Sequence, residues 1–375
     1  QENPRTYNIT VPTYEPHWVV FYESIDGVTK GDVISSSFTQ SALPNISFDT
    51  IAALKDFNSA MFMASLFNSS LQYVPVLGYY AKGDGGGGNF MWDAASTLPD
   101  NGGTIIQPTG VAVGRWIRVM ESGSVNVKIF GAKGDGAFND LPAINAVIAA
   151  GYNRLSFPKG NYLLPNGNSI TGDLSNLKFS GEDKASVLIK TGAGPVTPFI
   201  SGGGDNISIS NLTFTAPNVA NTDANVFGFL EINRGNNLTI SECTFIDGIR
   251  GIWLRCGADQ TLSNVTIQNN ILTDLRDGIY VGASQESVTG DLLFNVKITS
   301  NTITQGKGTD ETDGGDGIKL IKKCNNLIIS NNYISGFIRD AIDMFAGGEK
   351  TIINGNILAD SGVKGLDIKA IVDEF

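Results

Sequence analysis

Six segments of this chain can be written beneath one another with their isoleucines aligned. They are DNISISNLTF from Asp205, NNLTISECTF from Asn236, SNVTIQNNIL from Ser263, FNVKITSNTI from Phe294, NNLIISNNYI from Asn325 and EKTIINGNIL from Glu349. The matching residues Ile209, Ile240, Ile267, Ile298, Ile329 and Ile353 are 31, 27, 31, 31 and 24 residues apart. A near-constant unit of this size makes a solenoid. Each unit alternates apolar and polar residues, which is the period of a strand and not of a helix. Most units carry a second short strand: GIWL from Gly251, GIYV from Gly278, GIKL from Gly317, AIDM from Ala341 and GLDI from Gly365. Strands that recur once per turn, in phase, predict an all-β fold, a right-handed single-stranded parallel β-helix with the isoleucines stacked inside. A sandwich does not explain the pattern, because its strands do not repeat in phase.

The chain upstream has a different texture. Residues 1–48 read as a small β-rich module, and 49–124 as a neck or adaptor module with one helix over Asp49–Leu71, capped by Asp49 or Thr50. The apolar stripe of that helix is Ile51, Leu54, Phe57, Met61, Ala64 and Phe67. Two glycine motifs, GDGGGG from Gly83 and GAKGDG from Gly131, read as tight turns. The first is followed by a short strand where a dinucleotide site needs a helix, and the second lacks the Lys-Ser/Thr of a phosphate loop. From Val125 the β-helix begins, with a helix over LPAINAVIAAG that Asp140 can cap and that covers the open end of the solenoid.

The sequence has 375 residues and a formal net charge of −11, which argues against nucleic acid or an anionic membrane surface as partner. No apolar run is long enough to cross a bilayer, and no signal peptide opens the chain, which starts at Gln1. Cys243, Cys256 and Cys324 read as buried core thiols, without metal-ligand spacing. The single histidine, His17, lies far from the repeats. No cofactor and no metal site is expected. The acidic stretch Gly306–Gly317, with Asp310, Glu311, Asp313 and Asp316, does not have the spacing of an EF-hand loop and reads as a solvated loop.

In a β-helix, outward side chains of equivalent strands form files along the axis. The second strands give one file, Glu231, Trp253, Tyr280, Lys319, Asp343 and Asp367, and a neighbouring one, Arg250, Asp277, Asp316, Asp340 and Lys364. Coils are about 4.8 Å apart, so two aromatics stand beside a set of carboxylates. Aromatic faces take the apolar face of a pyranose, and carboxylates bind hydroxyls. Trp253 and Tyr280 are therefore expected as sugar platforms, with Lys319, Arg250, Asp277 and Glu231 as further substrate contacts. Glycoside cleavage needs one carboxylic acid and one carboxylate. Asp343 with Asp367, on adjacent coils, is the first expected pair and Asp316 with Asp367 the second; Asp340 belongs to the same acidic group. Crowded carboxylates raise one another's pKa and so supply the acid. A polysaccharide lyase built on Lys319, Arg250, Arg255 and Tyr280, and a non-catalytic fibre, are the competing functions.

VKIFGAKGDGAFND followed by PAINAVI resembles the opening motif of the pectate-lyase-like β-helix superfamily. GYYAKGDGGGGNFMWD, DNGGTIIQP and GRWIRV (78–119) resemble the neck module of bacteriophage tailspikes and tail fibres. The resemblance implies a homotrimer of parallel β-helices on a phage virion, made in the host cytoplasm and joined to tail or baseplate proteins through its N-terminal region. It further implies action on host capsular or O-antigen polysaccharide, as a depolymerase. The chain stops at IKAIVDEF, within a coil, and so reads as a fragment of such a protein.

Overall fold

A computed structural model describes residues 19–22, 33–37, 47–57, 73–121, 123–191, 197–217, 227–257, 260–282, 293–308, 314–322, 324–345 and 349–369. Gln1–Ile46 form one compact unit and Ser47–Phe375 a second. In the first, Val19–Tyr22 pairs antiparallel with Val33–Ser37. In the second, a small antiparallel sheet precedes a long parallel β-helix.

The small sheet is built from Val74–Val76, Gly88–Asp93, Ile105–Ile106 and Arg115–Arg118. Its helix runs over Ile51–Asp56, and the Thr50 hydroxyl accepts the Ala53 N–H at 3.1 Å, a true N-cap. The remainder of the expected helix, 58–71, lies outside the described residues. The GDGGGG stretch is a turn tied by Asp84, whose carboxylate accepts four backbone N–H groups, from Tyr79, Tyr80, Ala81 and Gly86. Gly83 and Gly85 take φ of 80° and 88°, where a side chain is strained. The carbonyls that this turn exposes are bound by buried Arg118, which donates to Gly86 and Gly87 at 3.0 and 2.6 Å. The loop thus turns its carbonyls onto an internal guanidinium.

The β-helix wraps three faces. The first is a nine-stranded parallel sheet running from Val125–Asn126 to Ile352–Asn354. The other two join through the long strands Thr244–Leu254 and Ile271–Val281, which turn the corner between them. The third face starts at Ile170–Asp173 and ends at Leu366–Ile368. Registers pair Phe179, Ile209, Ile240, Ile267, Ile298, Ile329 and Ile353 in one inward stack. All are fully buried except Ile353, half-buried in the last coil. Rings stack in the same way, with Phe214 and Phe245 at 5.1 Å and 7° between planes.

Sharp corners need left-handed residues, and asparagine and aspartate reach that region most readily after glycine. One corner file is Asn176, Asn206, Asn237, Asn264, Asn295 and Asn326, all with positive φ; another contains Asp247 and Asp274. Inside the corner after the first face, Asn270, Asn301, Asn332 and Asn356 form a ladder. The Asn301 Oδ1 accepts the backbone and side-chain N–H of Asn270, each at 3.0 Å, and its own amide donates to Ile267 O and to Asn332. Cys243 occupies the same position one coil earlier, its N–H donating to Asn270. The three cysteines are buried, and burial pushes each thiol up to about 12.

The helix Leu141–Ala149 joins the core through Leu141, Ala143, Ile144 and Val147 at the start of the β-helix. Asp140 stands at its N-cap position but does not cap it. Its buried carboxylate instead accepts N–H groups from Lys133, Gly134 and Leu163, fixing the glycine turn to the first coil. Asn139 takes the helix N–H of Leu141 at 3.1 Å.

Candidate functional site on the third face

Every residue of the two expected files lies where the spacing places it. Glu231 pairs with Trp253, Trp253 with Tyr280, Tyr280 with Lys319, Lys319 with Asp343, and Asp343 with Asp367. Arg250 pairs with Asp277 in the neighbouring file. That file continues through backbone bonds: Gly278 N–H donates to Asp316 O, Gly317 to Asp340 O and Ala341 to Lys364 O. The file is tied internally too, since Asp277 accepts the N–H of Asp316 at 3.2 Å and Asp316 that of Asp340 at 3.1 Å.

The face is not the solvated surface that outward positions suggest. Asp316 and Asp343 are fully buried, and Asp340, Asp277, Glu231 and Arg250 nearly so. Carboxylate oxygens of Asp316, Asp340 and Asp343 lie within 4.8 Å of one another, a spacing that suits a cation. The chain brings two of its own. Lys319 Nζ sits 2.7 Å from Asp316 and 3.2 Å from Asp343. Lys369 Nζ sits 2.7 Å from Asp343, 3.3 Å from Asp367 and 3.9 Å from Asp340. Phe345 lies beneath both ammonium groups, 4.1 Å from Lys369 and 5.3 Å from Lys319.

These surroundings separate the aspartates. Asp343 is held between two ammonium groups. For Asp340, burial is the main cause of a carboxyl pKa above the ordinary value, reinforced by the charges of Asp316 and Asp343. Its Oδ1 is buried without a hydrogen-bond partner. Asp367, 9% exposed, is shifted the other way: a hydrogen bond from Lys364 and then one from Lys369 hold it below the ordinary range. Burial lowers the Lys369 pKa, but its bonds to Asp343 and Asp367 outweigh this and keep it raised. One ammonium group therefore touches an aspartate that favours its proton and another that favours its charge.

The aromatic end is more closed. The Trp253 ring is 5% exposed, with the guanidinium groups of Arg250 and Arg255 over it at 4.7 and 4.6 Å. Its indole N–H donates to Gly282 O at 3.2 Å. The ring expected as a sugar platform thus has two guanidinium groups of its own chain against it. Tyr280 is half-buried, 5.6 Å from Trp253 and under Arg250 at 4.1 Å; burial raises its phenol pKa. Burial raises Asp277 too, but Arg250 and Arg276 outweigh it and hold that carboxylate low. Glu231 is raised by burial and faces Arg255 at 3.5 Å.

Lys369, Phe345 and Arg276 were missed by reading files alone. Alternation supplies the signal for Lys369, since it stands two residues beyond Asp367 and so faces the same way. Of the acidic stretch, Asp310, Glu311 and Asp313 lie outside the described residues, and Asp316 is a buried member of the site.

Residues 166–368 match the family described as right handed β-helix region, and residues 47–121 the phage tail protein small four-stranded β-sheet domain. No curated protein sequence matches the chain. Among solved structures, WceF of Pantoea stewartii, described as a glycan biofilm modifying enzyme with a tailspike-like parallel β-helix, is similar at 15% identity and TM-score 0.55. That match covers 88% of this chain and 51% of WceF. The pre-mature gene product 12 of bacteriophage phi29 is similar at 20% identity and TM-score 0.51, over 63% of this chain and 33% of that one. The enzymatically active domain of tailspike protein 2 of bacteriophage CBA120 follows at 15% and 0.50, over 85% and 52%. At these identities the likeness is one of fold, and the chain spans about half or less of each of those structures.

Proposed function

The chain belongs to the right-handed β-helix family, and from that premise we propose that it is a phage tailspike which cleaves a host bacterial surface polysaccharide by hydrolysis. It sits on the virion tail through its N-terminal region, as a homotrimer. The observation that carries the reading is the pair of aspartates on Lys369, with pKa values pushed apart. Such a pair assigns an acid and a base.

In the proposed reaction Asp340 gives its proton to the glycosidic oxygen. Asp367, kept ionised by Lys364 and Lys369, acts on the anomeric centre, directly or through water. The carboxylate paired with Asp367 is thus Asp340 and not Asp343, because Asp343 is fully buried and its two oxygens face Lys369 and Lys319. Asp316 and Asp343 hold the lysines in place. Tyr280 and Arg255, the more accessible members of the aromatic end, contact the sugar. A lyase needs a base that is free to take the proton at C5, and the raised Tyr280 phenol is a poor source of one at neutral pH.

Asn replacement at single positions tests the assignment on capsular or O-antigen polysaccharide. Asp340→Asn and Asp367→Asn should each cost about a hundredfold or more in turnover, as loss of general acid–base catalysis does, with thermal stability little changed. Normal turnover in both variants would place the reaction elsewhere.

A further inference from the structure

The first face carries a second feature, on a different sheet from the aspartates. Arg154 and Lys178 are register partners on adjacent coils, and both side chains are exposed. Among the described residues neither has an ion pair, in a chain whose net charge is −11. They line a groove of about 510 Å³ together with Asn176, Asn206, Asn237 and Thr239.

The asparagines form an outer ladder. The Asn206 amide donates to Asn176 Oδ1 at 3.1 Å, and the Asn237 amide to Asn206 Oδ1 at 3.0 Å. A carboxamide has two N–H donors and an oxygen with two acceptor sites. Asn206 and Asn237 each spend one N–H on the preceding rung, which leaves the other for a ligand. The ladder thus repeats a donor and an acceptor at the coil spacing, about 4.8 Å, beside two cations.

We infer that this groove binds an acidic polysaccharide, with a sugar carboxylate on Arg154 and Lys178 and sugar hydroxyls on the asparagine ladder. Guanidinium forms paired charge-assisted bonds to a carboxylate, which a neutral sugar cannot accept. Nucleic acid is a poorer fit. It carries a charge about every 1.7 Å, which two cations on an acidic protein do not offset. The groove also has no aromatic lining on which bases could stack. Binding here does not depend on the hydrolytic reading of the third face.

Titration calorimetry with oligogalacturonate as the acidic probe, and maltohexaose as the neutral one, tests the inference on the whole chain. Oligogalacturonate should bind, more weakly at high salt, and maltohexaose should not. The double variant Arg154→Gln/Lys178→Gln should lose about tenfold or more in affinity, as expected when charge-assisted bonds are removed. Its melting temperature should not move, because both side chains are exposed. Asp367→Asn should leave this binding intact even though it slows cleavage about a hundredfold or more, which separates the two sites. The inference is overturned by absence of oligogalacturonate binding, by equal affinity in the double variant, or by equal binding of maltohexaose. A change of oligomeric state in the double variant without loss of binding also overturns it, since the face would then be a subunit contact.

Discussion

Asp340 and Asp367 differ only in their surroundings, and that difference has a pH signature. Asp340 must keep its proton, so its raised pKa sets the alkaline limb of the rate profile. Asp367 must be ionised, so its lowered pKa sets the acid limb. The turnover profile should be a bell whose limbs lie on either side of the ordinary aspartate value of 3.8. Lys369→Gln removes a charge that lowers both carboxyls, so both limbs should move to higher pH; a purely structural lysine would leave them in place. Asp343→Asn has a different outcome. It leaves buried Lys319, and the more exposed Lys369, short of a counter-charge, and breaking the buried pair with Lys319 costs about 3 kcal/mol or more. Thermal or denaturant unfolding should show that loss, in contrast to Asp367→Asn. At this scale the sequence revealed which residues share a file, because strand alternation and repeat phase determine that. It did not reveal what covers them: the guanidinium groups over Trp253 and the lysine between the aspartates depend on side-chain length and direction, which spacing does not encode.

The coil is the next element up, and its corners carry much of its specificity. Asn301 satisfies four partners in the buried ladder, at 3.0 Å each. Leucine at this position fills similar space but leaves those donors and acceptors unpaired, at about 1–3 kcal/mol for each group. Asn301→Leu should therefore lower stability by at least about 2 kcal/mol, read from chemical denaturation. If stability is unchanged, the ladder is incidental to the fold. The inward isoleucine stack was legible because apolar residues recur at a fixed phase. The ladder was also present in the sequence, as an asparagine just before each of four successive strands of the second face, Ile271–Val281, Thr302–Gly306, Tyr333–Ser335 and Ile357–Ala359, but it was concealed by the many surface asparagines around it. Asp140 shows the opposite failure. Its position before a helix suggested a cap, and the three N–H groups of the folded glycine turn and first coil captured it instead.

For the whole molecule, the β-helix supplies a rigid frame on which adjacent coils hold their side chains in file, and a misplaced catalytic group loses about two orders of magnitude in rate. The proposed homotrimer should give a mass three times that of the chain by light scattering; a stable monomer would contradict it. The central claim is hydrolysis of a host polysaccharide, and mass analysis of the products tests it most directly. The protein is incubated with capsular or O-antigen polysaccharide of its host and the released oligosaccharides are weighed. Hydrolysis predicts fragments that each carry the mass of one added water and show no new ultraviolet absorbance. Unsaturated fragments lighter by that water would contradict the account in favour of a lyase, and an intact polymer would contradict it in favour of a binding fibre.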